Sequence, residues 1–430
     1  MMNYQNVKKY PAYKDSGVEW IGEIPVGWKL KKMKYLFRDI SIKNRPDEIL
    51  LSVTQDQGVI PRGWLVNRPV MPTGNLETFK FIEKGNFAIS LRSFEGGIEY
   101  CHHNGIISPA YTVLQINREL FELYYKYLFK SFSFISEIQT SVMGIREGKN
   151  ISYPILSYSL LPIPSHPEQT AIANFLDEKC NKIDRAVAQK EKLVALLKER
   201  KQIVIQNAVT KGLNPNAKMK DSGVEWIGEI PEGWEVKRLK YIGLIRYGLG
   251  QPPKESENGI ALIRATNIVR GKIVDEEMLF VDPADVPWDR KPELKKNDII
   301  IVRSGAYTGD SAIITSKYEN AIAGYDLVFS PKLVFPNFVA YAFLSSYVLY
   351  SQIYLLRMRA AQPHLNAEEL ARTLILLPPS YEQKTIVAHI ETQSQKINKA
   401  ITLQQNQIEK LKEYKSILIN NAVTGKIKVC

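Results

Sequence analysis

The sequence is poor in cysteine and histidine, with three of the first and five of the second among 430 residues. The cysteines, Cys101, Cys180 and Cys430, are far apart and form no Cys-x-x-Cys pair. They therefore predict neither a disulfide framework nor a zinc site, and they are typical of a reducing cytoplasm. Cys101 is followed by His102 and His103, but adjacent strand residues point to opposite faces, so we expect no metal there.

The sequence also lacks the motifs of a DNA-modifying enzyme. The Gly-Lys pairs at 148–149, 271–272 and 425–426 are followed by Asn or Ile, so none belongs to a phosphate-binding loop. An adenine methyltransferase would carry an Asp/Asn-Pro-Pro-aromatic loop for a flipped base, and the nearest string, at 377–380, reads Leu-Pro-Pro-Ser. We therefore expect no catalytic residues, no metal and no cofactor bound by this chain. The alternative is an enzyme whose catalytic site is not recognisable.

Membrane and export signals are absent as well. No basic-then-apolar signal peptide opens the sequence, and we expect a cytoplasmic protein. The most apolar stretch, at 338–356, is about long enough to span a bilayer. It carries Ser345, Ser346, Ser351 and Gln352, and it therefore predicts a buried amphipathic helix.

The charge is strongly of one sign. The formal net charge is +12, the pI is near 9.2, and hydrophobic residues make up 45% of the chain. A chain with this hydrophobic content can form real cores. Its basic balance favours a polyanionic partner, although a basic globular enzyme would have the same charge.

Two segments of the sequence occur twice. The leading segment of the first repeat, residues 14–28, reads KDSGVEWIGEIPVGW, and residues 220–234 differ from it only by Glu232 in place of Val26. A second pair matches EQTAIANFL from Glu168 with EQKTIVAHI from Glu382, and both repeats end in NAVT. The offsets are 206 and 214 residues, so the middle of the second repeat is about eight residues longer. Such a chain can place its two halves around a pseudo-two-fold axis.

The repeated tails predict long helices. Apolar residues recur in a 4-3 heptad pattern over about five heptads, which is typical of a coiled coil. Polar residues interrupt the seam at equivalent places, Lys190 with Gln404 and Lys201 with Lys415. We expect the two helices to pair antiparallel, although separate core helices in a larger bundle would show a similar pattern. The predicted seam is Leu176, Ile183, Val187, Val194, Leu197 and Val204 with Ile390, Ile397, Ile401, Ile408, Leu411 and Leu418.

The divergent middles predict mixed α/β domains with basic, polar loops. A buried strand such as IIIV at 299–302 is followed by a loop rich in Gly, Ser and Thr. Fork-shaped and amide side chains suit base edges, and cations suit phosphates, although a solvated loop charge is the alternative for each residue. Arg92 and Arg303 stand out because each follows a buried strand. The candidate DNA-contacting residues are Arg92, Ser93, Arg146, Lys149 and Asn150, then Arg264, Thr266, Asn267, Arg303, Ser304, Tyr307, Thr308, Arg359, Gln362 and His364.

With its doubled WIGEIPxGW segment, its doubled proline-rich EQxxI helix start and its NAVT helix ends, the chain resembles the specificity subunits of type I restriction-modification enzymes. The resemblance covers nearly the whole chain. It implies a mixed α/β fold with two target-recognition domains and two long antiparallel helices in a coiled coil. The implied division is 1–163 and 213–377 for the domains with their leading segments, and 164–212 and 378–430 for the helices and tail.

The resemblance also implies a function. Each domain would read one half of an interrupted target in double-stranded DNA, and the helices would set the spacing and dock two methyltransferase subunits. Those partners and the restriction subunits would bind S-adenosylmethionine, ATP and magnesium, methylate adenine N6 and cleave unmodified DNA. The alternative from another class is a coiled-coil scaffold without a DNA role.

Overall fold

The computed structural model describes residues 8–65, 75–143, 150–357 and 364–429. The chain divides into two compact units, Met1–Glu191 with Asn406–Cys430 and Lys192–Gln405. Two long helices, His166–Lys211 and Ser380–Val423, each contribute residues to both units. The compact units therefore do not coincide with the two sequence repeats. The end of each long helix packs with the domain of the other repeat.

The first unit is built around a four-stranded antiparallel sheet. Its strand order is Phe37–Ile40, Thr112–Ile116, Phe87–Ile89 and Glu99–Tyr100. Buried aromatic residues fill the core beneath it, and the end of the second long helix, including Leu418 and Val423, packs into the same core. The other paired strands are Tyr13–Asp15 with Glu23–Pro25, Lys29–Lys32 with Leu160–Ile163, Leu51–Thr54 with Gly58–Pro61, Lys80–Ile82 with Gly105–Ile107, and Val142–Met143 with Asn150–Ile151.

Short helices cover this sheet. Glu122–Leu128 buries Tyr124, Tyr125 and Leu128, and Phe132–Thr140 begins at Ser131, whose hydroxyl accepts a hydrogen bond from the amide of Phe134. That bond satisfies one of the amides left open at a helix start. The remaining helical segments are Ser93–Gly96, Tyr153–Leu156 and the 3-10 turns Met33–Tyr35, Arg62–Trp64 and Leu76–Thr78.

The second unit repeats this architecture. Its four-stranded antiparallel sheet has the order Gly243–Tyr247, Leu327–Pro331, Ile299–Ile301 and Ser311–Ile313. A three-stranded sheet adds Leu279–Val281, Glu255–Ile263 and Ile322–Ala323. The other strands are Met219–Asp221 with Glu229–Pro231, Glu235–Arg238 with Leu374–Leu377, and Ile268–Val269 with Lys272–Ile273. The helical segments are Leu239–Tyr241, Ala265–Asn267, Pro283–Asp285, Trp288–Arg290, Ser316–Tyr318, Pro336–Phe343, Ser346–Val348, Leu349–Ile353, Tyr354–Arg357 and Ala367–Arg372.

The apolar stretch at 338–356 is not one helix. It breaks after Phe343, and Leu349–Ile353 is a π-helical turn, although Phe338, Phe343 and Val348 are buried as expected. Among the described residues, no single helix has both the length and the apolar character needed to cross a membrane. The pair Pro336–Phe343 and Ser346–Leu356 meets these two criteria only when taken together, and it is bent by 65°.

Within each repeat, the leading segment contacts the start of the long helix. The buried indole of Trp28 donates to Glu168 Oε1 at 3.0 Å, and in the second unit Trp234 donates to Glu382 Oε2 at 3.1 Å. Each EQ pair thus uses its glutamate to bind the tryptophan of its own leading segment. Because the two partners lie about 140 residues apart, this contact ties the start of each repeat to the start of its long helix.

The glutamine of each EQ pair joins three backbone segments. Gln169 is buried, its Nε2 donates to the Pro164 carbonyl at 2.9 Å, and its Oε1 accepts from the Phe121 amide at 3.0 Å. In the second unit Gln383 makes the same two bonds to Pro378 and Phe335, at 2.9 and 2.8 Å. A buried backbone group without a partner is costly. These contacts therefore give a physical reason for the same residue type at both positions.

The two long helices run antiparallel within each unit. In the first unit Lys415 Nζ lies 2.7 Å from both carboxylate oxygens of Asp184, and Lys190 donates to Gln407. In the second unit Lys201 donates to Asn398 Oδ1 at 3.1 Å. The partners' numbers rise along one helix as they fall along the other, which is the signature of antiparallel pairing. The expected mixed α/β fold with two long antiparallel helices is confirmed.

Candidate nucleic-acid interface

Arg303 contacts three rings at the end of a strand in the second unit. It follows the buried strand Ile299–Ile301, and its guanidinium carbon lies 4.7 Å from the ring centroid of Tyr247 and 4.5 Å from that of Tyr325. Its Nη2 lies 2.9 Å from His364 Nε2. Cation–π contact with two rings and a hydrogen bond to a third ring restrict the guanidinium to one orientation. We call Arg303, Tyr247, Tyr325 and His364 the arginine clamp.

The backbone around the clamp is fixed as well. The Arg303 amide donates to Asp326 Oδ1 at 3.2 Å, and the Leu365 amide donates to the Arg303 carbonyl at 2.7 Å. Ser304 and His364 also form an isolated antiparallel bridge. The strand end that carries Arg303 and the chain that carries His364 are therefore held to each other by main-chain hydrogen bonds.

A buried carboxyl group lies behind the clamp. Asp326 is 3% exposed, and this burial raises its pKa from 3.8 to about 6. The Arg303 amide and the positive charge of Arg303 act in the opposite direction and limit the rise in pKa. The burial effect is the larger of the two, so Asp326 retains its proton to higher pH than an exposed aspartate.

The open side of the clamp is aromatic. Tyr247, Tyr325 and Tyr307 are 41%, 49% and 54% exposed, which is high for side chains of this size. Gly324, next to Tyr325, approaches the backbone so closely that a Cβ there would lie 2.8 Å from the Ile263 carbonyl oxygen. The same Cβ would lie 3.4 Å from Arg264 Cγ, so Arg264 is a neighbour of this segment. The strand ends thus bring Arg303, Arg264, Tyr247 and Tyr325 to one region.

Three of the predicted DNA-contacting residues are used inside the fold. The Ser93 hydroxyl accepts from the Ser90 amide, the Asn267 side chain bonds to the backbone of Arg264, Val274 and Glu276, and the Thr308 hydroxyl donates to the Gly305 carbonyl. All three are buried. Their side chains shape loops and have no free edge for DNA, so we leave them out of the candidate interface.

The remaining predicted residues fall into three groups. Arg92, Thr266 and Tyr307 are exposed, and Arg264, Ser304 and His364 are half-buried, with Arg264 Nη2 donating to the Glu277 carbonyl at 2.8 Å. Arg146, Lys149, Arg359 and Gln362 lie outside the described residues. The backbone of Asn150 pairs with Met143 in a short hairpin, Val142–Met143 with Asn150–Ile151.

Arg92-Ser93 and Arg303-Ser304 each follow a buried strand in the sequence, but the sheet register does not place the two pairs at equivalent positions. In the first unit Phe87 lies in line, across the sheet, with Asp39, the third residue of the strand Phe37–Ile40. In the second unit Ile299 lies in line with Ile245, the third residue of the strand Gly243–Tyr247. Phe87 therefore matches Ile299, and Leu91 rather than Arg92 matches Arg303. The sequence match of Arg-Ser with Arg-Ser is out of register by one residue, which moves a strand side chain to the other face.

Tyr247, Tyr325 and Asp326 were not anticipated from the sequence. They lie on segments 56, 22 and 23 residues from Arg303, and pairing of separate strands brings them together. The only sequence signal is that both tyrosines adjoin a glycine, in the strings RYGLG and AGYD. Among the described residues, no group of three or more His, Cys, Asp or Glu side chains is placed to hold a metal ion.

The residues of the predicted helix seam are buried or half-buried on both long helices. Leu176, Ile183, Val194, Ile390, Ile397, Ile408 and Leu418 are buried, and Val187, Leu197, Val204, Ile401 and Leu411 are half-buried. The polar seam residues Lys190, Lys201 and Lys415 each contact a polar side chain of the opposite helix. Partial exposure of the seam is expected for a pair of helices, because two helices cannot enclose their contact completely.

Known proteins are similar to this chain in sequence and in fold. Residues 231–413 match the family model of the type I restriction modification DNA specificity domain. A chain from a structural study of complex assembly and conformational transition of the type I R-M system shares the fold, with a TM-score of 0.72 at 15% identity over 93% of this chain and 98% of that one. The HsdS subunit of Thermoanaerobacter tengcongensis aligns with a TM-score of 0.52 at 16% identity over 94% of this chain and 98% of that one.

Sequence relatives extend this finding to individual proteins. The chain is 27% identical to the type I restriction enzyme MjaVIII specificity subunit of Methanocaldococcus jannaschii, over 76% of this chain and 75% of the relative. It is 25% identical to the putative MjaX specificity subunit of the same organism over 95% and 96%, and 29% identical to the Escherichia coli EcoBI specificity subunit over 56% and 53%. The chain is thus similar to the specificity subunits of type I restriction-modification enzymes, the family that its repeated segments resemble.

Proposed function

We propose that this chain is the DNA-specificity subunit of a type I restriction-modification enzyme. In this proposal each α/β domain reads one half of a bipartite target in double-stranded DNA. The observation that carries it is the arginine clamp: a guanidinium oriented by two exposed tyrosines at a strand end. An arginine is the side chain best suited to the O6 and N7 acceptors of guanine, and a fixed orientation lets it discriminate between bases.

The residues around the clamp suit the rest of a DNA contact. Arg264 and Thr266 supply donors for phosphates, and the exposed hydroxyl of Tyr307 can reach either a phosphate or a base edge. Arg359 and Gln362 precede His364 by five and two residues in the sequence, and we assign them to the same interface. In the first repeat we assign DNA contact to Arg92, Arg146, Lys149 and Asn150.

The chemistry belongs to partner subunits in this proposal. The chain itself is non-catalytic and binds no cofactor, and its long helices dock two methyltransferase subunits because the repeated helices offer two equivalent surfaces. Those subunits bind S-adenosylmethionine and methylate adenine N6. The restriction subunits use ATP and magnesium to cleave unmodified DNA.

A domain exchange tests the proposal. Residues 30–161 are replaced by the corresponding segment of a relative with a different target, and the chimera is co-expressed with its methyltransferase partner. Methylated adenines are then mapped by sequencing the DNA of the cells. We expect one half of the methylated motif to change while the other half and the gap stay constant.

The equivalent exchange of residues 236–375 is the matched control and should change the other half. A scaffold without DNA readout would leave the motif unchanged in both chimeras. A change of both halves by one exchange would contradict the assignment of one half to each domain. Methylation by the purified chain alone would contradict its non-catalytic role.

A further inference from the structure

Two lysines at equivalent positions of the repeat have different partners. Lys415 and Lys201 are related by the 214-residue offset, and so are the residues that they contact, Asp184 and Asn398. Lys415 is paired with a carboxylate at 2.7 Å, whereas Lys201 donates to a neutral amide at 3.1 Å. The second unit thus has the lysine of this pair without its countercharge.

Lys201 also faces a second cation. Its pKa is lowered by burial and by the nearby charge of Lys272 in the hairpin Ile268–Val269 with Lys272–Ile273. In the part of the chain that the structure describes, no ion pair involves either lysine. Two like charges held together in a partly buried place destabilise each other unless an anion comes between them.

A cavity of about 350 Å³ lies at this place in the second unit. Besides the two lysines it is lined by Ser394, whose side chain is 8% exposed and whose Oγ has no hydrogen-bond partner among the described residues. A buried hydroxyl without a partner is unusual, and here it adds an unused donor. The other polar lining residues are Gln202, Arg270, Tyr341, Glu391, Gln395 and Asn398.

The side chains that line the cavity carry a net positive charge even when Arg270 is left out. Arg270 also lines an adjoining cavity with Glu199 and Asp310, so its charge has acidic neighbours. Glu391 remains, and it accepts from Asn337 Nδ2 at 3.3 Å. Two lysines against one carboxylate leave one positive charge. In the first unit the corresponding region is balanced, because Lys126 pairs with Asp177 at 3.5 Å and Lys415 with Asp184.

We propose that this cavity binds a phosphate group between Lys201 and Lys272. The site offers two ammonium groups and the Ser394 hydroxyl as donors, with side-chain amides around them, and a phosphate has oxygen acceptors enough for all of them. A carboxylate has only two oxygens and would leave donors unused. The phosphate can come from inorganic phosphate or from the backbone of DNA, and only the second source depends on the proposed function.

The first experiment uses the full-length chain and inorganic phosphate without DNA. Thermal unfolding and phosphorus NMR line broadening are followed against phosphate concentration, with chloride at matched ionic strength as reference. We expect saturable binding by the parent. Asn398→Asp supplies the missing carboxylate to Lys201, as Asp184 does to Lys415, and should weaken phosphate binding by about tenfold.

Two variants control this result. Asp184→Asn removes the carboxylate at the equivalent place of the first unit and should leave phosphate binding at Lys201 unchanged. Lys272→Gln should weaken phosphate binding without changing the Lys201–Asn398 contact. Equal phosphate binding by the parent, Asn398→Asp and Lys272→Gln would overturn the site, because binding would then be a general salt effect.

A second experiment distinguishes the sources of the phosphate. DNA affinity of parent and Asn398→Asp is compared across salt concentrations, since each phosphate contact steepens the salt dependence by about one unit. A shallower slope in Asn398→Asp assigns the site to a DNA phosphate, and equal slopes with a phosphate-binding difference assign it to a free phosphate. If neither phosphate nor DNA distinguishes the two proteins, the proposal is wrong, and an acidic side chain of a partner subunit becomes the occupant to test.

Discussion

At the scale of single residues, the arginine clamp shows how contacts within the protein fix the orientation of a flexible side chain. A free arginine loses about 2 kcal/mol of rotamer entropy when it is fixed by a ligand. Arg303 is already held by two tyrosine rings and His364. Much of this rotamer entropy is therefore lost during folding and not during binding. Its remaining donors can then act on base edges with less entropic cost.

The first prediction concerns Arg303 itself. Arg303→Ala should weaken binding to the cognate DNA by about 1–3 kcal/mol and relax specificity at one base pair, because the paired donors to guanine are lost. Arg303→Lys should recover little, since an ammonium group cannot make the paired contact. Fluorescence anisotropy with cognate and single-substitution DNA duplexes measures both effects.

Arg290→Ala is a suitable control, because Arg290 is an exposed arginine in a 3-10 turn of the same unit. A phosphate-contacting role for Arg303 would give an equal loss of affinity for all sequences. Unchanged cognate affinity in Arg303→Ala would remove Arg303 from the interface.

The second prediction concerns the pH dependence of stability. Asp326 has a pKa of about 6 in the folded chain and 3.8 as its ordinary value, so the folded state holds this proton more strongly than the unfolded state. The stabilisation from protonated Asp326 is complete below about pH 3.8 and is lost as pH rises through about 6. Asp326→Asn should therefore raise the free energy of unfolding by up to about 3 kcal/mol at pH 8, and have little effect near pH 3.5.

Urea unfolding of parent and variant across this pH range is the measurement. Only the difference between the two proteins is interpreted, because other groups titrate in the same range. Glu99 in the first unit is one of them, since burial raises its pKa to about 7. A destabilising effect of Asp326→Asn at pH 8 would mean that the ionised carboxylate is favoured by Arg303 more than burial disfavours it.

Residue types in the sequence indicated only part of this site. Arg303 was predicted because a buried strand precedes it, whereas Tyr247 and Tyr325 depend on which strands pair, and that is not local information. Ser93, Asn267 and Thr308 were chosen as polar loop residues, but short polar side chains also bond to their own backbone in turns. Their sequence context does not distinguish these two uses.

At the scale of secondary-structure elements, the EQ pairs at the helix starts connect three parts of each unit. The glutamate binds the leading tryptophan, and the glutamine bonds to the backbone before its own helix and to the start of a helix of the α/β domain. The repeated sequence thus makes the same set of contacts in both units, and we call this set the joint. Local periodicity predicted the helices themselves, but these long-range contacts depend on the folded structure and have no local sequence signal.

The third prediction tests this joint. Gln383→Ala leaves the Phe335 amide and the Pro378 carbonyl without their partner, and it should lower the free energy of unfolding by about 1–3 kcal/mol. Gln169→Ala should have a similar cost in the first unit. Denaturant unfolding measures each variant and the double variant, whose costs should add because the two sites share no partner.

Lys384→Ala is the control on the same helix, since Lys384 is exposed, and its effect should stay within about 0.5 kcal/mol. A cost for Gln383→Ala no larger than that of Lys384→Ala would show that water replaces the glutamine. A double variant much less stable than the sum of the single ones would show that the two joints are coupled.

At the scale of the whole molecule, each long helix belongs to both units. His166–Lys211 has 46 residues and is therefore about 69 Å long. In the proposed function, the long helices would set the distance between the two half-sites.

The last prediction concerns this spacing role. Lys190 contacts Gln407 across the helix pair, so insertion of seven residues after each of them lengthens both helices at one level. Seven residues preserve the heptad seam and add about 10 Å, which corresponds to about three base pairs. Methylation mapping with the co-expressed partner should show a gap longer by about three base pairs and unchanged half-sites. Insertion in one helix only should disrupt the seam and lower stability, which serves as the control. A double insertion that altered the bases read, while leaving the gap intact, would contradict the role of the helices as spacer.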